Sequence, residues 1–270
     1  MSLLRAYGWE MRKLARQKRT WAGLLAALLY ALAFVIVLSV KKHAGIPSDI
    51  PLARQVTHSG AVLPLALLVF ATFFGAPVIS SLVAGDIVSS EDANNTLKMI
   101  LTRSTGRSTI LAAKALAAAS YGVALIAVLF ATSVIGSVAS WGLHDVTLLN
   151  GRTSSGAHAV GLAALAYATY LMPLGVLIAV AFLLSTVTRN GAAAIVGTVI
   201  FALAFQGVAA LPGLEGAKPY LLPQQFEAWK SLYGQDGLSI ARAAWTCALY
   251  SIIPLVLGWM VFARRDVAGA

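Results

Sequence analysis

The sequence predicts an all-α, polytopic membrane protein with six spans, and three observations carry that prediction. Of its 270 residues, 59% are hydrophobic and 11% charged, whereas a soluble domain carries about a quarter charged residues. Six apolar stretches reach the length of about 20 residues that a helix needs to cross the hydrocarbon core: Trp21 to Val40, Gly60 to Ala84, Ala115 to Ala139, Val160 to Leu184, Gly191 to Ala210 and Ala243 to Ala263. The charged residues fall between these stretches rather than along a face of them. Residues 1–270 therefore form a single transmembrane domain. Residues 1–20 precede its first span, 85–110 join spans two and three, and 211–242 precede span six.

The opening "MSLLRAYGWEMRKLARQKRTW" places Leu4, Tyr7, Met11 and Leu14 at spacings of three and four, with Arg12, Lys13, Arg16 and Arg19 mostly on other faces. That pattern predicts a basic amphipathic helix lying in the inner headgroup layer. In the first span, Ala31 to Ala33 resemble a small-residue cleavage site. The apolar run nevertheless continues to Val40, so an uncleaved span is expected. Pro64, Pro77, Pro173 and Pro254 are expected to kink their spans and free carbonyls. Spans four and five nearly touch in sequence, which predicts a tight hairpin around Ser185, Thr186, Arg189 and Asn190.

An even number of spans puts both termini on one side. With them lie thirteen of the 20 Lys and Arg residues, against seven on the other side. The excess of basic residues marks the cytoplasmic face, so both termini are expected there. The alanine-rich composition fits a bacterial plasma membrane.

Between spans two and three, "SSEDANNTLKMILTRSTGR" has a helical stripe of Ala93, Leu97, Ile100 and Leu101, with Ser89 and Asp92 spaced as a variant capping box. Asn94, Asn95 and Thr96 are weak helix formers, so contacts must hold this helix, and Gly106 breaks it. Glu91 and Asp92 suit its N-terminal dipole. On the other side, Phe226, Trp229 and Tyr233 follow Pro223 at spacings of three and four and precede Gly234. They predict a short aromatic helix, either an outer lid or an interfacial anchor.

The spans as drawn contain no Asp, Glu, Lys, Arg or His. Such residues normally mark proton relays and ion sites, so their absence counts against a proton-coupled carrier, an ion pump or an intramembrane protease. Cys247 lies in an apolar run, as a packing residue. The His residues have no zinc-ligand pairing with Glu, and no metal site is expected. A G-x-x-x-x-G-K-[ST] phosphate loop is absent as well. The chain is expected to be no enzyme, so uphill movement would draw its energy from a partner.

The stretch "SSEDANNTLKMILTRSTGRSTILAAK" resembles the segment between spans two and three in permease subunits of ATP-binding-cassette transporters of the type-2 export class. Glu91, Thr96, Leu97, Leu101, Arg107 and Lys114 occupy the motif positions, while Asn95 replaces the usual Gly and Ser104 the usual Pro. The N-terminal helix, the six spans and the long outer loop match in layout. The resemblance implies a cytoplasmic coupling helix that docks on a separate P-loop ATPase, with Glu91, Asp92, Thr96, Leu97, Arg103 and Arg107 as coupling residues. ATP and magnesium would be bound by that ATPase, not by this chain. It also implies two permease copies, identical or related, surrounded by membrane lipids and enclosing a pathway lined by spans two and five. There Phe70, Phe73, Phe74, Phe201, Phe205 and Gln206 would suit a hydrophobic or amphipathic cargo. An ATPase-linked sensor or anchor subunit is the alternative. The basic residues, dispersed between spans, suggest no nucleic-acid partner.

Overall fold

A computed structural model of the chain describes residues 2–44, 59–93, 106–147, 153–234 and 238–264. The described part is almost entirely helical. Helix α1 (Leu3–Arg16) is followed, after a single extended residue at Gln17, by α2 (Lys18–Ala44). A 3-10 turn (Gly60–Val62), α3 (Leu63–Phe70), a π turn (Ala71–Gly75) and α4 (Ala76–Ala84) then run end to end. The short α5 (Ser89–Ala93) precedes α6 (Arg107–Trp141), which starts directly after Gly106.

A two-stranded antiparallel ribbon that the sequence did not announce, β1 (Val146–Thr147) with β2 (Thr153–Ser154), joins α6 to α7 (Gly156–Thr188). Helix α8 (Gly191–Ala209) follows two residues later. The remaining elements are a 3-10 turn (Lys218–Tyr220), α9 (Leu222–Gln225), a 3-10 helix (Ala228–Tyr233) and α10 (Ile240–Ala263).

Among the described residues, five helices rather than six are long and apolar enough to cross a membrane: α2, α6, α7, α8 and α10. The predicted second span is the exception. Pro77 offers no N–H to the carbonyl one turn before it, and its ring crowds that turn. The backbone widens there into the π turn, so neither α-helical half exceeds nine residues. Pro173 and Pro254, by contrast, sit inside α7 and α10 without ending either helix.

Helix α7 is the hub, packing against α10, α8, α6 and α4. Its most apolar stretch is 61% buried, against 17–33% for the other four long helices, whose outward faces carry exposed Leu, Ile, Val and Trp. A helix apolar all round and half uncovered is made for lipid or for another apolar surface. The bundle thus has the character of a multi-pass membrane protein.

The α7–α8 hairpin forms as predicted. Arg189 takes the left-handed conformation that reverses the chain, and the Asn190 side chain accepts N–H bonds from Ala192 and Ala193 at 3.0 and 3.2 Å, capping α8.

Candidate functional site

The described part of the segment between α4 and α6 is a turn, residues 85–88, followed by the five-residue α5. It lies tight against α8. A Cβ on Gly85 would stand 2.8 Å from the Ser81 carbonyl and 3.0 Å from Ile195 Cγ1, and one on Gly191 would run into the Asp86 carboxylate. Ser89 does not cap this helix forward as the sequence predicts, because its hydroxyl turns back to the Gly85 carbonyl at 3.1 Å. The N–H groups of Val88 and Ser89 instead donate to Ser185 Oγ, at 3.3 and 3.1 Å. These bonds hold α5 against α7, while Asn94, Asn95 and Thr96 lie outside the described residues.

Four charged side chains meet beneath it. Lys114 on α6 is completely buried. Its ammonium donates to the Ile87 carbonyl at 3.2 Å and forms ion pairs with Glu91 Oε2 at 2.7 Å and Glu10 Oε1 at 3.2 Å. Lys13 on α1 pairs with Glu10 at 2.8 Å and also with Glu91. Two carboxylates and two ammonium groups make the cluster neutral, which is the condition under which buried charge is tolerated. Burial would raise the Glu91 carboxyl, but Lys114 and Lys13 outweigh it and hold the group below the ordinary carboxylate range. Burial would likewise lower the Lys13 ammonium, which Glu91 and Glu10 instead hold above its ordinary value.

Glu91 was expected on a surface offered to a partner. It is 6% exposed and its carboxylate faces inward, because Lys114 lies inside and draws it there. The third span, drawn from Ala115, begins earlier as α6 and so takes in Lys114. Asp92 is partly exposed and pairs with Arg189 at 3.5 Å, while Arg19 pairs with Asp86. Arg107 is exposed at the start of α6 and donates to the Ala263 carbonyl at 3.2 Å, tying α6 to the end of α10. Thr96, Leu97 and Arg103 lie outside the described residues.

The residues proposed for a pathway separate into two places. Phe70 stacks on Phe34 of α2 at 5.3 Å, whereas Phe201 and Phe205 pair at 4.8 Å and Phe205 meets Tyr250 of α10 at 6.5 Å. Phe73 and Phe74 lie in the π turn, and their side chains are outside the described set. Gln206 joins α8 to this turn by donating to the Thr72 carbonyl at 3.4 Å. Pro77 stands five residues beyond Thr72, where a π turn would place the donor, and has no N–H. Gln206 supplies one in its stead.

Tyr170 donates to Thr72 Oγ1 at 3.1 Å and stacks on Phe226 at 4.7 Å, so the predicted lid and the predicted pathway meet through it. Phe226, Trp229 and Tyr233 are 4%, 3% and 1% exposed. They fill the end of the bundle rather than facing lipid, and their helix is α9 followed by a 3-10 helix that stops, as predicted, at Gly234 in the left-handed conformation. Among the described residues, no three His, Cys, Asp or Glu side chains converge as a metal set.

Glu10, Thr72 and Tyr170 were not singled out from the sequence, and Lys13 and Ser185 were named only for the basic helix and the hairpin. A signal existed for Glu10, the only acid before Asp49, which sits on the apolar face of an otherwise basic helix. None existed for the partners of Ser185 and Tyr170, which are 97 and 98 positions away.

No curated protein matches the chain. A protein family described as "Protein of unknown function (DUF2705)" matches residues 58–268, a stretch that holds α5, Lys114, Gln206 and the aromatic end but not α1. With most of its length matched, the chain belongs to that family.

Proposed function

We propose that this chain is the membrane-spanning subunit of an ATP-driven exporter, working as a dimer in a bacterial plasma membrane with both termini in the cytoplasm. A separate P-loop ATPase, carrying the ATP and magnesium, docks on the segment between the second and third crossings. The run from Gly60 to Ala84 crosses as a composite helix. The cargo is hydrophobic or amphipathic.

The observation that carries this reading is the buried Lys114 cluster. Through Glu91 it fastens the segment to α1 and α6, while Ser185, and Arg189 through Asp92, fasten it to α7 and the α7–α8 turn. A displacement imposed on the segment would pass into these helices without first bending a loop. Glu91 serves here as the anchor of the docking element, and the surface that touches the ATPase falls to Asp92, Thr96, Leu97, Arg103 and Arg107.

The test is to purify the tagged chain gently from its native host, as wild type and as a Leu97→Asp, Arg103→Glu double variant. Wild type should bring down a P-loop ATPase, and the variant at least tenfold less, at equal yield of folded protein. Absence of any ATPase with wild type, or undiminished recovery with the variant, would remove the docking role.

A further inference from the structure

Apart from Leu4, the apolar stripe that predicts an interfacial α1 is already occupied. Ala6, Glu10 and Leu14 are buried, and Tyr7 and Met11 pack against the core, with Tyr7 hydrogen-bonded to Ser120 of α6 at 2.8 Å. The helix presents its opposite face outward. At 100° per residue, Arg5, Arg12 and Arg16 fall within one narrow sector of that face, with Trp9 on one flank and Leu4 on the other. All three arginines are exposed, as are Trp9 (59%) and Leu4 (80%).

The acid on α1, Glu10, is turned inward, and Lys13 and Arg19 are engaged with Glu91 and Asp86. Among the described residues no carboxylate pairs with Arg5, Arg12 or Arg16. Helix α1 is also fixed at the mouth of a span. Only Gln17 separates it from α2, and the exposed Trp21 donates back across that bend to the Ala15 carbonyl at 2.8 Å.

We propose that the outer face of α1 is a binding surface for anionic phospholipid headgroups, with Arg5, Arg12 and Arg16 as the charge-reading residues and Trp9 and Trp21 as interfacial anchors. Three features favour lipid over an acidic protein. The arginines extend over roughly 16 Å of helix, at 1.5 Å per residue, too far for one phosphate but suited to a row of headgroups. Exposed indoles on both sides of the bend match the headgroup layer. The surface is also tethered at the first turn of a membrane-crossing helix, where headgroups are the permanent neighbours. The recognition is of negative charge at a surface, so it is sensitive to salt. It does not depend on the ATPase reading above.

The test uses the full chain in neutral detergent, titrated with short-chain phosphatidylglycerol or phosphatidylcholine. Bound lipid is counted by native mass spectrometry, and hydrogen exchange is followed in residues 3–16. Wild type should bind phosphatidylglycerol in preference to phosphatidylcholine and gain protection in α1. An Arg5→Gln, Arg12→Gln, Arg16→Gln variant should lose that preference by on the order of a hundredfold, since each basic residue at an anionic surface contributes roughly fivefold. Unchanged exchange in α7 shows that the variant is folded, and raising the salt concentration should release phosphatidylglycerol from wild type without any substitution. Equal binding of the two lipids by wild type, or a preference that survives the triple variant, overturns the proposal. Recovery of a protein partner that depends on these arginines, with no lipid preference, assigns the face to that partner instead.

Discussion

The two ends of the bundle are held by different physics. At the α1 end, Glu10, Lys13, Glu91 and Lys114 come from three separate elements and are joined by ion pairs. At the opposite end, Phe226, Trp229 and Tyr233 fill space by area, with neutral hydrogen bonds around Thr72 beneath them. An ion-paired joint transmits force along defined directions but fails when one charge is lost. An aromatic plug has no single essential contact and ignores pH. The comparison teaches that the end expected to receive an external push is also the one with an all-or-none fastening.

The largest effect should come from Lys114→Met. Two carboxylates would then share Lys13, and removing one member of a buried pair costs about 3–5 kcal/mol. Exchange protection in residues 3–16 should collapse while residues 226–233 keep theirs, and equal loss at both ends would end the comparison. Next comes Trp229→Ala, which should cost about 3 kcal/mol through the cavity it leaves, read as a lower unfolding temperature in detergent. That loss should be the same at every pH and salt concentration tried.

Acid should separate the two ends in the unmodified protein. The Glu91 carboxyl is held below its ordinary value, so its contribution is complete above that value and disappears as pH falls through the lowered one. Protection in residues 3–16 should decline in that window, while the aromatic end remains unchanged. Gln206→Leu should cost about 1 kcal/mol, the worth of one hydrogen bond, and increase exchange next to the π turn. Smallest of all is Tyr233→Phe. The buried Tyr233 hydroxyl finds no hydrogen-bond partner among the described residues, so its removal should leave stability unchanged or raise it slightly. A clear loss would mean that the plug also relies on polar contacts.

The long helices were legible because length and apolarity are local properties. The predicted limits of spans one, three, four, five and six all fall inside, or within a residue of, α2, α6, α7, α8 and α10. The stop at Gly234 was legible for the same reason. The predicted second span is drawn as one continuous stretch with a kink expected at Pro77; the break takes the form of a π turn that leaves two short helices, a geometry that apolarity alone does not specify. The charged cluster was half visible: Lys114 stood out at the head of a span, but the choice of Glu10 as its partner, 104 positions away, is a property of packing. The direction of Glu91 was hidden for that reason. A carboxylate in an exposed-looking segment turns inward only if a cation is already buried there.

The π turn at Ala71–Gly75 also has a rotational consequence. An α-helix advances about 100° per residue, and a π turn accommodates roughly one residue more than an α turn. The run from Gly60 to Ala84 is therefore two half-helices out of phase by about one such step, with Gln206 bridging the joint. Deleting one residue from the turn would remove that offset and rotate everything beyond it. Ser80 and Ser81, now fully enclosed, would swing toward different neighbours, and the turn into α5 would leave the helix on a different bearing. The phase slip is thus part of what aims the Glu91 segment at Lys114.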